Sequence, residues 1–459
     1  MNAVDGHGVN EAGRPRRAPG AASGEDFTGR QRAGAASSPT SKRHVVVFGM
    51  LHAGLALARS FGRAGIPVSG LALHGNEFGL RSRYLRHRYV VAATSPTLRD
   101  RQVLDALRSL AAESPGGRLV LFPERDENVA FVLAHWEAVH EIADVPLPAD
   151  PDAVLRLRRK ERLAQEAARA GVPAPATVLA DCEATVAGAG LRPPFLVKPV
   201  EGQEFALHFG EKAVVADSVA EACAVWRRAH EAGFETLVQE LIPDSHERVF
   251  SLLTYIGRHG TPLACVVGRK VRQGPLRFGT SAFFEVNFDQ RVLDQGLRLL
   301  TSAGYRGFAH VEFAHDGRDD TFKLLEVNTR PPVWVGIAIT PRFDIARIAY
   351  DDLCGVSVVN QTPAASRSDN SSSGRVAVTE TPAADSDALP AGCRVLRDEL
   401  SWMYLAKDAW VSYQMARRGE LRLGELVGHY LRRGKVPAIF AADDPLPALA
   451  SLQYLRSRL

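Results

Sequence analysis

Phe308-Ala309-His310-Val311-Glu312-Phe313 reads as a strand, and a turn through Asp316-Gly317 leads into a second strand carrying Leu324-Leu325-Glu326-Val327-Asn328, which runs on to Arg330. Alternate side chains of a strand share a face, so Glu326 and Asn328 point the same way. A hairpin closing over Asp316 to Asp320 in even register brings Glu312 to that face as well. Burying two carboxylates among Phe308, Val311, Phe313, Leu324, Leu325 and Val327 is costly unless a cation or a basic partner compensates them. Oxygen-only ligands suit a hard divalent cation that keeps some waters and bridges phosphates. The stretch therefore predicts a magnesium–nucleotide site, against the plainer reading of edge-strand acids in water.

The residues upstream supply what such a site needs. Lys160 follows a basic helix start, and Lys198 ends the apolar strand Phe195-Leu196-Val197-Lys198-Pro199. Lys212 opens another strand, after a loop containing Gly202 and Gly210. Gln239-Glu240-Leu241-Ile242 is an apolar strand end before a proline turn. Phosphoryl transfer is mostly positioning and charge neutralisation, so lysines on phosphates with a magnesium ion between them are its main requirement. Each lysine alone reads as a surface residue; their order ahead of the acidic hairpin makes the case.

Composition narrows the class. The chain has 459 residues, a length for about three domains. Its 46% apolar and 24% charged residues are ordinary for a globular protein. A net charge of +4 is too weak a basic footprint for a nucleic-acid partner. Five scattered cysteines without a CxxC speak against structural zinc and a disulfide framework. No apolar run reaches the roughly 18 residues of a membrane helix, so no membrane insertion is expected. No apolar segment follows Arg14-Pro15-Arg16-Arg17, so no signal peptide is expected and the chain reads as cytoplasmic.

Residues 1–42 are rich in Gly, Ala, Ser and Arg and are expected to be a disordered tail. Residues 43–148 open with buried strands at Val45 to Phe48, Val68 to Leu73 and Leu119 to Phe122, the start of a Rossmann-like sheet. The glycines after the first strand do not spell GxGxxG and no acid ends the second, which argues against a dinucleotide site. One helix is expected over 152–170, ending at Gly171 before Pro173 and Pro175. Residues 359–391 read as a linker or long loop, and 392–459 as a helical, aromatic C-terminal region.

Over roughly residues 44–355 the chain resembles the ATP-grasp superfamily. The resemblance is carried by Lys160 before Gly-Val-Pro-Ala-Pro, the Leu-Val-Lys-Pro strand, Val-Gln-Glu-Leu-Ile-Pro, and Leu-Leu-Glu-Val-Asn-Thr-Arg-Pro. It implies an α/β and α+β architecture: a Rossmann-like N-terminal domain, a two-subdomain ATP-grasp domain over 149–358, and the helical extension. It implies ATP contacts from Lys160, Lys198 and Lys212 to phosphates, with Gln239, Glu240 and the Leu241–Ile242 backbone as the adenine hinge. Glu247, or less readily Asp244, would hold the ribose. Glu312, Glu326 and Asn328 would ligate one or two Mg²⁺ ions, or Mn²⁺. The loop Pro199-Val200-Glu201-Gly202-Gln203-Glu204-Phe205 departs from the pattern, being bulky and partly acidic where many phosphate loops are small and glycine-dense.

Within the superfamily the chain looks most like carboxylate–amine ligases, including D-aspartate ligase-like enzymes and those associated with cell-surface polysaccharides. Arg269, Lys270, Arg272 and Arg277 form a cationic stretch suited to a carboxylate or acyl phosphate. The resemblance implies an ADP-forming ligase: a carboxylate takes the γ-phosphate, and an amine attacks the acyl phosphate to form an amide. Arg272, Arg277 and Arg330 would hold the carboxylate and the developing oxyanion. The partners implied are a small-molecule or carrier-linked carboxylate and amine, with pairing into a homodimer expected by analogy. The rivals are a carboxylase or carbamoyl-phosphate-type enzyme acting on bicarbonate, a nucleotide-binding regulator without turnover, and a dinucleotide oxidoreductase.

Overall fold

The first strand, β1 (Val45–Phe48), is fully buried on both faces, as its unbroken Val-Val-Val-Phe run requires of a central parallel strand. It pairs in parallel with β2 (Val68–Ala72) and β4 (Leu119–Pro123), and β3 (Arg88–Val90) and β5 (Ala143–Asp144) complete the order β3-β2-β1-β4-β5. Helices such as His52–Arg63 and Pro96–Glu113 connect these strands. This sheet is the Rossmann-like part. The computed structural model describes residues 42–200, 203–211, 213–245, 247–277, 279–356 and 392–456, so the expected tail and linker lie outside the described residues.

A small antiparallel sheet follows, built from β6 (Thr177–Ala180), β7 (Phe195–Pro199), β8 (Val214–Ala216) and β9 (Thr236–Glu240) in the order β6-β9-β7-β8. Its core is Val186, Phe195, Val197, Trp226 and Val238. Phe205, the last residue of the expected phosphate loop, has a packing role: Gln203–Phe209 is a helix, and buried Phe205 stacks on Phe209 at 4.3 Å and meets Phe234 edge-on at 5.4 Å.

The large sheet is built on β10 (Val249–Ile256), β11 (Pro262–Gly274), β12 (Thr280–Val286), β13 (Gly307–Asp316) and β14 (Thr321–Asn328). Three short strands of the C-terminal region extend it: β15 (Arg394–Leu396) against β11, β16 (Ser401–Met403) against β12, and β17 (Lys435–Pro437) against β16. The C-terminal region is helical as expected, but it is also woven into the central sheet. Alternation divides the core, with Leu252 and Ile256 in one apolar cluster and Leu253 and Tyr255 in the other. The described residues from Lys42 onward form one compact body. All five cysteines are free thiols.

One expected helix is two. Pro151–Arg158 ends at Arg159, whose backbone is extended, and Lys160–Arg169 begins anew. The break puts Lys160 at the first turn of the second helix, from which its Nζ reaches the Pro199 carbonyl at 2.5 Å.

Candidate active site

The hairpin β13–β14 closes in the even register its sequence predicts. Glu312 lies opposite Glu326, and His310 opposite Asn328. A β-bulge follows immediately, where Phe313 pairs with Leu324 and Leu325 is the extra residue. Glu312 is buried and receives Lys270 Nζ at 3.1 Å. Glu326 is exposed, and Asn328 Nδ2 donates to its Oε1 at 2.9 Å. Desolvation by the surrounding protein, then the facing Glu312 carboxylate, holds the Glu326 pKa above its ordinary value. His310 is buried, its pKa pushed down to about 3 chiefly by that burial, so it is neutral at ordinary pH. Its Nε2 has no hydrogen-bond partner and lies 3.5 Å from Glu312.

Lys160, Lys198 and Gln239 face one cleft. Lys160, Lys198, Gln239, Pro175, Leu324 and Leu325 line it, so the small sheet and β14 form opposite walls. Lys198 Nζ donates to Gln239 Oε1 at 3.1 Å, and Gln239 Nε2 donates to Thr177 Oγ1 at 2.7 Å. Burial, then the nearby Lys160 charge, lowers the Lys198 pKa to about 8, with Glu326 opposing the shift. Glu240 accepts the Arg192 backbone N–H at 2.9 Å, and the Leu241 N–H is donated to the Pro194 carbonyl at 2.9 Å. Ile242 is buried, whereas Glu247 is exposed in the turn that follows. Lys212 lies outside the described residues.

The three arginines assigned to the substrate do not share one place. Arg330 lies at the end of β14 and reaches Asp126 Oδ2 at 2.6 Å, tying the hairpin to the helix Asp126–Ala134 of the Rossmann-like part. Its Nε is buried without a partner. Burial opposes its charge, but Asp126 outweighs burial and raises the arginine's pKa while its own is lowered. Arg277 is exposed in the turn between β11 and β12. Arg272 is a correction. It is buried in a two-pronged ion pair with Asp408, at 2.6 and 2.9 Å, over the Phe283 ring, and is no free anion-binding group. The cause is a register shift: Lys270 pairs with Phe284 and Arg272 with Phe283, leaving Val271 as the extra residue. The bulge turns Lys270 to the acidic face and Arg272 to the other, where regular alternation would have put both on one side. Arg269 is likewise neutralised, by Glu285 at 2.6 Å.

Sequence reasoning placed Lys270 in the cationic stretch meant for the substrate, not against Glu312, and did not single out Asp126. Among the described residues, no three His, Cys, Asp or Glu side chains converge as a metal cage. Two carboxylates and an amide with an open side fit a magnesium ion that takes its other ligands from water and phosphate oxygens.

The Rossmann-like part holds a second acid pair. Glu124, at the end of β4, accepts the N–H groups of Leu51 and Ala53, each at 3.0 Å, at the N-terminus of the helix His52–Arg63. Glu77 accepts the Met50 N–H at 2.5 Å. Gly49, at φ +96°, leaves the room: a Cβ there would sit 2.8 Å from Glu124 Oε2. A dinucleotide's pyrophosphate would need that helix terminus, and Glu124 already fills it.

No protein-family model matches the chain. Over 145 residues, 30% of its length, it is 26% identical to a D-aspartate ligase of Enterococcus faecium, and the match spans about a third (34%) of that enzyme's length. Among solved structures, a biotin carboxylase–βγ-ATP complex from Campylobacter jejuni superposes with a TM-score of 0.55 at 18% identity, over 70% of this chain and 73% of that one. An L-amino acid ligase from Bacillus licheniformis gives 0.52 at 15% identity, over 68% and 75% of the two chains. N5-carboxyaminoimidazole synthetase from Staphylococcus aureus, complexed with ADP, gives 0.53 at 14% identity, over 69% and 78%. With its acidic hairpin, paired lysines and three sheets in this arrangement, the chain has the ATP-grasp fold.

Proposed function

We propose that the protein is an ATP-dependent, ADP-forming carboxylate–amine ligase that joins an acid to an amine through an acyl phosphate. The observation carrying this reading is the Glu312–Glu326 pair, opposed across one hairpin whose Leu324 and Leu325 line a cleft with Lys160 and Lys198. The named relatives and neighbours support it: a D-aspartate ligase by sequence, an L-amino acid ligase by fold, and two structures solved with adenine nucleotides.

In this reading Lys160 and Lys198 hold the phosphates. The Glu240–Ile242 segment and Gln239 hold the adenine, and Glu247 the ribose. Glu312, Glu326 and Asn328 hold one or two Mg²⁺ ions. When bound, the metal neutralises charge on the phosphates and fixes the γ-phosphoryl group for transfer. Lys270 holds Glu312 in place. Arg330, anchored by Asp126, binds the carboxylate or the acyl phosphate. Arg277 is free to join it from the exposed turn. Neutral His310, beside Glu312, is suited to orient the incoming amine.

A second reading has an observation of its own, the biotin carboxylase neighbour: bicarbonate in place of the organic acid uses the same phosphoryl transfer. ADP release from MgATP, screened against pools of carboxylates and amines and against bicarbonate, separates the two. The ligase requires ADP only when acid and amine are both present. ADP formed with bicarbonate, or without an amine, would overturn it.

A further inference from the structure

We propose that the solvent face of the two C-terminal helices Leu405–Arg417 and Leu423–Leu431 is a docking surface for an anionic lipid bilayer. In the second helix Leu423, Val427 and Leu431 are 70%, 54% and 77% exposed. Spaced four residues apart, they form one stripe along it. The helix is not free to turn this stripe inward. His429 is buried beside Arg272, with Nδ1 at 3.1 Å from its Nη1, and Tyr430 donates its hydroxyl to Asp408 at 2.8 Å. The first helix repeats the pattern. Asp408, Val411 and Ser412 are its buried side, while Trp410 and Tyr413 are 56% and 53% exposed, their rings 5.7 Å apart. Clustered apolar side chains left in water on a well-anchored element mark an interaction surface.

Charge identifies the partner. Arg417, Arg418 and Arg422 lead into the stripe, and Arg433 follows it beside Arg432, all exposed, with Arg432 alone of the last two paired, to Glu285 at 2.7 Å. Among the described residues Arg417, Arg418 and Arg433 make no ion pair, and Glu425 is already engaged by Arg422 at 3.3 Å. Pairing this helix with a second copy, in either direction, would set arginines against arginines. A nucleic acid would neutralise them but leave the leucines in water. An anionic bilayer satisfies both: leucines and valine enter the interfacial region, Trp410 and Tyr413 sit at headgroup level, and the arginines meet phosphates. No described helix is long and apolar enough to cross a membrane, so the attachment is peripheral. None of these residues lines the ATP cleft, so the inference stands apart from the ligase reading.

Sedimentation of the full chain with vesicles of phosphatidylcholine, with and without phosphatidylglycerol, tests this. Binding to the anionic vesicles alone is expected, weakening as added salt screens the arginines. The triple variant Leu423→Ser, Val427→Ser, Leu431→Ser keeps the wild-type melting temperature, since the replaced side chains are exposed, and loses roughly tenfold or more of the bound fraction. Three results would overturn the proposal: no binding to anionic vesicles, equal binding by the triple variant, or a wild-type dimer that the triple variant dissolves.

Discussion

Glu77 and Glu124 meet at the carboxyl end of the parallel sheet, and Glu312 and Glu326 meet across the hairpin of the large one. Both pairs crowd two carboxylates together, and in both the crowding raises a pKa: burial, then Glu124, brings Glu77 to about 7. What differs is the compensation. The first pair is enclosed and bonded to the N–H groups of Met50, Leu51 and Ala53, so its demand for positive charge is met by a helix terminus. The second has one ammonium, on Glu312 only, and leaves Glu326 exposed within reach of the Lys198 charge. A crowded acid pair is a binding site when its charge is left incompletely compensated toward open space, and a structural element when the backbone has closed over it.

Substitutions separate the two cases, beginning with the largest expected loss. Glu326→Gln should lower ADP formation by roughly 10²–10³-fold, the scale of a lost transition-state electrostatic contact, with circular dichroism and melting unchanged. Next comes Asp408→Ala, which strands the buried Arg272 guanidinium. It should cost about 3–5 kcal/mol in urea unfolding, while turnover in the folded fraction persists. If Arg272 were a substrate-binding group, conservative Arg272→Lys would instead raise the carboxylate KM at unchanged stability.

Lys198→Ala should raise the ATP KM, lower kcat, or both. Wild-type ATP affinity should be steady below pH 8 and weaken by up to roughly tenfold per pH unit above it, because the phosphates bind the protonated amine. The alanine variant should lack that slope. Glu77→Gln acts on stability alone. Its folded pKa, about 7, lies above the ordinary 4.5, so the protonated form favours folding. That contribution is complete below pH 4.5 and is lost as pH rises to 7. Glutamine removes this slope and should leave the variant more stable than wild type at pH 8 by on the order of 1–3 kcal/mol in urea unfolding. The smallest effect expected is from deleting residues 1–40, whose composition offers nothing to pack: the melting temperature and activity should not change.

The sequence carried the site unevenly. Glu312, Glu326 and Asn328 were legible because strand alternation and a short hairpin constrain where they go. Lys160 and Lys198 were legible from their order and from the apolar strand behind Lys198. Arg272 was misread because the bulge at Val271 reverses alternation and leaves no mark in the sequence, and because its partner Asp408 lies 136 residues away. The three-residue strands β15 to β17 are too short to show any period. The break at Arg159 lacks a proline or glycine to announce it.

The central claim is that the hairpin pair, and not the Rossmann-like pair, awaits a metal–nucleotide. Thermal unfolding with and without MgADP, in wild type, Glu326→Gln and Glu77→Gln, tests it most directly. The expected result is a MgADP-dependent rise in melting temperature in wild type and Glu77→Gln that is absent, or nearly so, in Glu326→Gln. An equal rise in all three proteins, or a rise lost only in Glu77→Gln, would contradict it.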